Sequence, residues 1–189
     1  MDSHPDGSHP GSEPDGSESF WRDVILSKDE CQSEKALRLY DYWQELRRGR
    51  SMPARADIDP TALGPLLANI HLSEWHRNPD RVRYRVAGTE LVAVIGREIS
   101  GRWLTDFHTN PKDVEETMAL YRLVIATHAP VFGRSMGAMQ RVGVDSFDWV
   151  VCPLSDDDRA VTHFIGLEDY VSKRRYLGGP AGDLPSDLP

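Results

Sequence analysis

The 189-residue chain predicts an α+β fold, a five-stranded antiparallel sheet with helices on one face and a further helix on its N-terminal side. Three observations carry that prediction. Two alternating segments joined by a tight turn come early, a helical stretch follows, and three strand-like segments with short polar links close the folded part. Strands joined by such short links pair antiparallel, and a helical crossover between the two groups lays its helices on the sheet.

The elements follow in chain order. Residues 1–26 are dominated by Asp, Ser, Gly, Pro and His, too few apolar groups to offset the entropy of ordering them, so this segment is expected to be a disordered acidic tail. Ser27 and Glu30 have capping-box spacing, and no Gly or Pro follows until Gly49, which predicts an N-terminal helix within 27–50. Its apolar face carries Ala36, Leu39, Tyr40, Trp43 and Leu46. Met52-Pro53-Ala54-Arg55 reads as extended chain, and Asp59-Pro60 as the cap and first residue of a short helix to about Leu67.

Ala68 to His76 and Arg81 to Ala87 alternate apolar with polar residues around the turn Asn78-Pro79-Asp80, which is the pattern of a hairpin. On the second strand Val82, Tyr84 and Val86 face one way and Arg81, Arg83 and Arg85 the other. Thr89 to Ile95 reads as a short helix, Gly96 to Trp103 as an irregular connection, and Asn110-Pro111 as the start of a helix to about His128. Strands are then expected at Val131 to Arg141, Ser146 to Leu154 and Ala160 to Asp169. The main folded domain is expected to span 51–177, and the Gly- and Pro-rich residues 178–189 to form a flexible C-terminal tail.

With that order in hand, four pieces of sequence carry a family resemblance. Tyr42-Trp43, the segment Pro53 to Pro60 (PARADIDP), Arg83 to Leu91 (RYRVAGTEL), and Gly96 with Ser100-Gly101 resemble the bacterial PAS_5 group of PAS domains, over roughly residues 35–172. The resemblance implies a stand-alone sensory or regulatory module that binds a small molecule, a protein partner, or both, and not an enzyme. It supplies no cofactor. Flavin photoreceptors of the class place a reactive cysteine where this chain has Thr89 to Trp103, which contains none. Haem-binding members use a histidine from a central helix; Thr89 to Ile95 has none, and His108, in the loop after it, is the candidate ligand for that alternative.

Composition narrows the remaining classes. The net charge of −8 lies mostly in the first 34 residues, where nine acidic residues stand against Arg22 and Lys28. Nucleic-acid binding needs Lys and Arg gathered on one surface, so no such partner is expected. There is no run long and apolar enough for a bilayer and no secretory pattern, which predicts a cytoplasmic protein without membrane contact. Cys31 and Cys152 belong to no ligand or disulfide pattern, and His71, His76, His128 and His163 are isolated, so no metal site is expected. Asp156, Asp157 and Asp158 read as a solvated turn. An alternative reading is a small cone-shaped α+β enzyme with His163 as general base, but Asp148 and its like should point away from the apolar face.

The candidate ligand pocket, between sheet and helices, is lined by Tyr84, Trp103, His108, Tyr121, Met136 and Trp149. Both faces of the last two strands are apolar, whereas a sheet in a monomer needs only one such face. The second face therefore has to be covered by the N-terminal helix, by a second subunit, or by both. Leu39, Trp43 and Leu46 are the candidate dimer or partner surface, and a homodimer is the expected assembly.

Overall fold

A computed structural model of the chain describes residues 22–108, 110–139 and 144–172. It contains a six-stranded antiparallel sheet in the order β1-β4-β5-β6-β2-β3, with β1 Arg22–Leu26, β2 Ile70–His76, β3 Arg81–Ala87, β4 Val131–Met139, β5 Val144–Leu154 and β6 His163–Ser172. Helices α1 Glu34–Arg47, α2 Pro60–Leu63, α3 Thr89–Ile95 and α4 Pro111–Thr127 complete it. Residues 1–21 of the expected 1–26 tail, the end of the strand expected at Val131 to Arg141, Gly143 of the turn after it, and residues 173–189 with the expected C-terminal tail lie outside the described residues. Among those described, no helix is long and apolar enough to cross a membrane.

The sheet has one strand more than the sequence predicts. Arg22 to Leu26, expected to be the end of the tail, runs antiparallel to β4 from Arg22 opposite Met136 to Leu26 opposite Phe132. Only the free edge of β4 makes this segment a strand, because five residues have too little apolar surface to order themselves.

The N-terminal helix also starts later than 27. Ser27 and Glu30 do form the reciprocal cap, with the Ser27 amide donating to Glu30 Oε2 at 2.8 Å, but it closes a single 3-10 turn. The true cap of α1 is Ser33, whose Oγ accepts from the Ala36 amide at 3.0 Å.

The two apolar faces of the sheet are both covered within the chain. α1 lies across β5 and β6 on the outer face, where Ala36, Leu39 and Trp43 are buried with Val150, Cys152, Ile165 and Leu167. Trp43 Nε1 donates to the Pro153 carbonyl at 2.7 Å. The assignment of Leu39 and Trp43 to a dimer or partner surface is therefore corrected: their apolar stripe is used up against the chain's own sheet. Leu46 is half-buried, and the outward side of α1 presents Arg38, Asp41 and Glu45.

The family-like segments turn out to be scaffold. Asp57 accepts from the Ala54 amide and pairs with Arg50, and Asp59 caps α2 by accepting from the Thr61 amide at 2.8 Å. The exposed triad after β5 holds this segment in place. Asp158 Oδ1 accepts from the Ser51 and Met52 amides, Asp156 from the Arg55 amide, and Asp157 from the Arg159 and Ala160 amides. Those amide bonds hold the Asp157 carboxyl down at about 2. The triad is solvated, as expected, and also structural.

Gly88, at the cap of α3, is buried where a Cβ would stand 2.3 Å from the Ala68 carbonyl oxygen and 2.4 Å from that of Leu67. Backbone atoms cannot rotate away as a side chain can. Gly88→Ala is expected to cost about 1–3 kcal/mol, the range for an overpacked interior. Urea unfolding would show the loss as a lower midpoint at unchanged slope.

Candidate functional site

On its inner face the sheet is bare of α1 and faces α3, α4 and the loop before α4. Between them lies a cavity of about 410 Å³, within the range of small-molecule sites. Strand alternation decides what reaches it: Phe147, Trp149 and Val151 from β5, and Glu168 and Tyr170 from β6, in phase with their cross-strand partners. α4 contributes Asp113, Glu116, Thr117, Leu120 and Tyr121 from one side of the helix.

Two glycines let large rings lie flat on the floor. A Cβ on Gly133 would fall 2.1 Å from the Trp149 ring, and one on Gly166 would fall 2.1 Å from His71 Nε2. The inner face at these two points is therefore occupied by the indole of one strand and the imidazole of another.

Polar groups run along the floor in three short chains. Ser73 Oγ donates to Tyr121 Oη at 3.4 Å, and Tyr121 Oη to Tyr84 Oη at 3.2 Å. Trp149 Nε1 donates to Ser135 Oγ at 2.9 Å, and Ser135 in turn to Asp23 on β1. Tyr170 donates to Glu168.

Burial sets the protonation of these groups, because a low-polarity surrounding disfavours the charged form. It pushes the Glu168 carboxyl up to about 7, opposed by the Tyr170 hydrogen bond, and the Tyr121 hydroxyl up to about 12. It pushes His71 down to about 4, so its imidazole is neutral near pH 7. His108 is lowered too, by burial. His71 is 2% exposed, and its Nδ1 has no hydrogen-bond partner among the described residues; nor does the buried Oδ1 of Asp113.

Of the residues expected in the pocket, Tyr84, His108, Tyr121 and Trp149 line this cavity. Trp103 and Met136 do not, and both are corrections. Trp103 sits at the edge of β3, bridged to Arg83, with the Arg81 guanidinium 3.6 Å above its ring. Met136 is exposed because its neighbour Ser135 takes the inward position on β4. The three arginines of β3 are partly engaged: Arg81 and Arg83 stand over the indole, and Arg85 lies 3.8 Å from Glu74.

His163 faces the outer side, opposite Leu154, with Nδ1 3.0 Å from Thr162 Oγ1. It meets no cavity carboxylate. Among the described residues, no cluster of three His, Cys, Asp or Glu is placed to hold a metal.

Glu168, His71 and Asp113 were missed in the sequence. Glu168 was legible, since it is in phase with Phe164 and Gly166 on the apolar face of β6, a carboxylate where alternation calls for an apolar group. His71 sits among apolar strand residues like many structural histidines, and only the unpartnered nitrogen sets it apart.

Behind the floor, the outer face carries a second polar cluster at the start of α1. Asp148 and Asp169 stand opposite one another on β5 and β6. Asp148, 3% exposed, is held bidentately by Arg134 at 2.5 and 3.0 Å and accepts from the Gln32 amide at 2.7 Å. Asp169 accepts from Ser33 Oγ at 2.8 Å and Lys35 Nζ at 2.9 Å. Two like charges this close would repel, and the cations and the first turn of α1 offset that.

A family model described as PAS_5, a PAS domain, matches residues 31–168. No curated protein matches the chain. Among solved structures, one titled as an RNA-binding light-oxygen-voltage receptor is similar at 19% identity and a TM-score of 0.41, over 66% of this chain and 37% of its own length. A second, the light state of the blue-light photoreceptor Aureochrome1 LOV, is similar at 17% identity and a TM-score of 0.38, over 61% of this chain and 91% of its own.

Proposed function

The chain belongs to the PAS domain family, in its PAS_5 group, and on that premise we propose that it is a sensory module in which a small molecule in the cavity changes how firmly α1 is held. A protein partner then reads the state of α1. One observation carries this reading: cavity and helix clamp are back to back on the same two strands. Trp149 and Glu168 face the cavity, and their chain neighbours hold the entry to α1, Asp148 through the Gln32 amide and Asp169 through Ser33 and Lys35.

A ligand shifts such an equilibrium only by its differential affinity for the two states. Here the difference would arise from small displacements of β5 and β6, which move the floor and the clamp together. The homodimer belongs to the same proposal, but its support now lies with Val24 and Ile25, exposed on the edge strand β1.

The test fills the cavity from α4. Thr117→Phe puts a ring where a ligand would lie, and amide exchange over residues 34–47 is expected to change by several-fold against the wild type. Equal exchange in the two proteins, with both folded, would remove the coupling on which the sensory reading rests.

A further inference from the structure

The cavity lining combines aromatic and aliphatic groups with acidic acceptors. Asp113 and Glu116 project from α4, Glu168 from β6 and Asp23 from β1, and among the described residues no Lys or Arg lines the cavity. Among the described residues, Arg97 exerts a cationic influence on His108. The described lining thus offers no Lys or Arg to pair with a phosphate or a carboxylate, and burying an anion beside these acidic groups would be costly.

Two unpartnered polar atoms in the lining, one of them on His71 and so independent of the acidic groups, point to a ligand. His71 is buried with an unpartnered ring nitrogen, and Asp113 has an unpartnered, buried carboxylate oxygen. Native interiors satisfy nearly all such atoms, so each marks a place where a hydrogen-bonding group belongs. The floor beside them is made of Trp149, Phe147 and Tyr84, with Phe107 against Tyr84 at 5.2 Å between ring centres.

We infer that the cavity takes a small aromatic molecule carrying a nitrogen donor, either an ammonium or a neutral N–H group, and rejects anionic molecules of the same size. The ring lies on Trp149 and Phe147, where a cation or ring edge meets an aromatic face favourably. The nitrogen donates to Glu168 and Asp113. The neutral His71 imidazole, with one donor and one acceptor nitrogen, reads a second polar atom of the ligand. This inference rests on the small-molecule part of the sensory reading and specifies its ligand chemistry.

The experiment compares three probes of one shape: tryptamine, indole-3-acetamide and indole-3-acetate, titrated into the full chain by calorimetry and by saturation-transfer NMR. Tryptamine and the acetamide are expected to bind at least tenfold more tightly than the acetate. Glu168→Gln is expected to cut the preference for tryptamine over the acetate by about tenfold, and Thr117→Phe to abolish binding of all three. Equal or tighter binding of the acetate would overturn the inference, as would binding that survives Thr117→Phe or absence of binding by every probe. Charge-selective binding with unchanged exchange in α1 would leave this inference standing and defeat the sensory reading.

Discussion

Trp43→Ala is expected to lower stability by about 3–5 kcal/mol, the cost of truncating a fully buried aromatic. The indole is 1% exposed between α1 and the outer sheet face, and the change would also strand the buried Pro153 carbonyl, which its Nε1 satisfies. Trp43→Phe keeps most of the packing and loses the hydrogen bond, so a smaller loss of about 1–2 kcal/mol should follow. Urea unfolding of the three proteins gives both numbers. Had Trp43 been an intersubunit contact, truncation would change sedimentation and leave monomer stability nearly untouched. That outcome would overturn the placement of α1 on its own sheet.

Glu168→Gln is expected to stabilise the protein at pH 8 by up to about 3 kcal/mol and to do almost nothing at pH 4. The folded-state pKa is raised to about 7 from the ordinary glutamate value of 4.5, chiefly by burial, so the native state holds its proton where the unfolded chain has released it. Stability of the wild type therefore falls as pH rises from about 4.5 through 7 and levels off above, by roughly 1.4 kcal/mol per unit of difference. Glutamine has no proton to lose and removes that slope. Chemical denaturation of both proteins at pH 4, 6 and 8 reads the effect directly. A stability difference independent of pH would show that the carboxyl is not held in a low-polarity site.

The parts of the site that sequence reasoning reached are those with strong local signals. Tyr84 lies on an alternating strand and Tyr121 on a helical stripe, and each period alone gives the facing of its side chain. Trp149 was placed by the same alternation. The errors at Met136 and Trp103 have a different origin. Met136 is displaced by register, since a shift of one residue exchanges the two faces of a strand. Trp103 sits in an irregular connection, where no period exists to orient it.

Order, capping and the location of the hairpin were likewise written locally: Asp59-Pro60 and Asn110-Pro111 start helices where expected, and both termini of α4 agree with its cap and with Pro130. By itself, then, the sequence determined that the chain is an α+β PAS-family domain with two strands, helices and three strands in that order. Tertiary structure alone decided three further things: that Arg22–Leu26 is a strand, that α1 covers the second apolar face from within the chain, and that a carboxyl, an imidazole and an aspartate meet in one cavity. The physical reason is separation along the chain. Turn chemistry and periodicity act over a few residues, whereas Asp23 meets Ser135, and Gln32 meets Asp148, only after the sheet has closed more than a hundred residues between them.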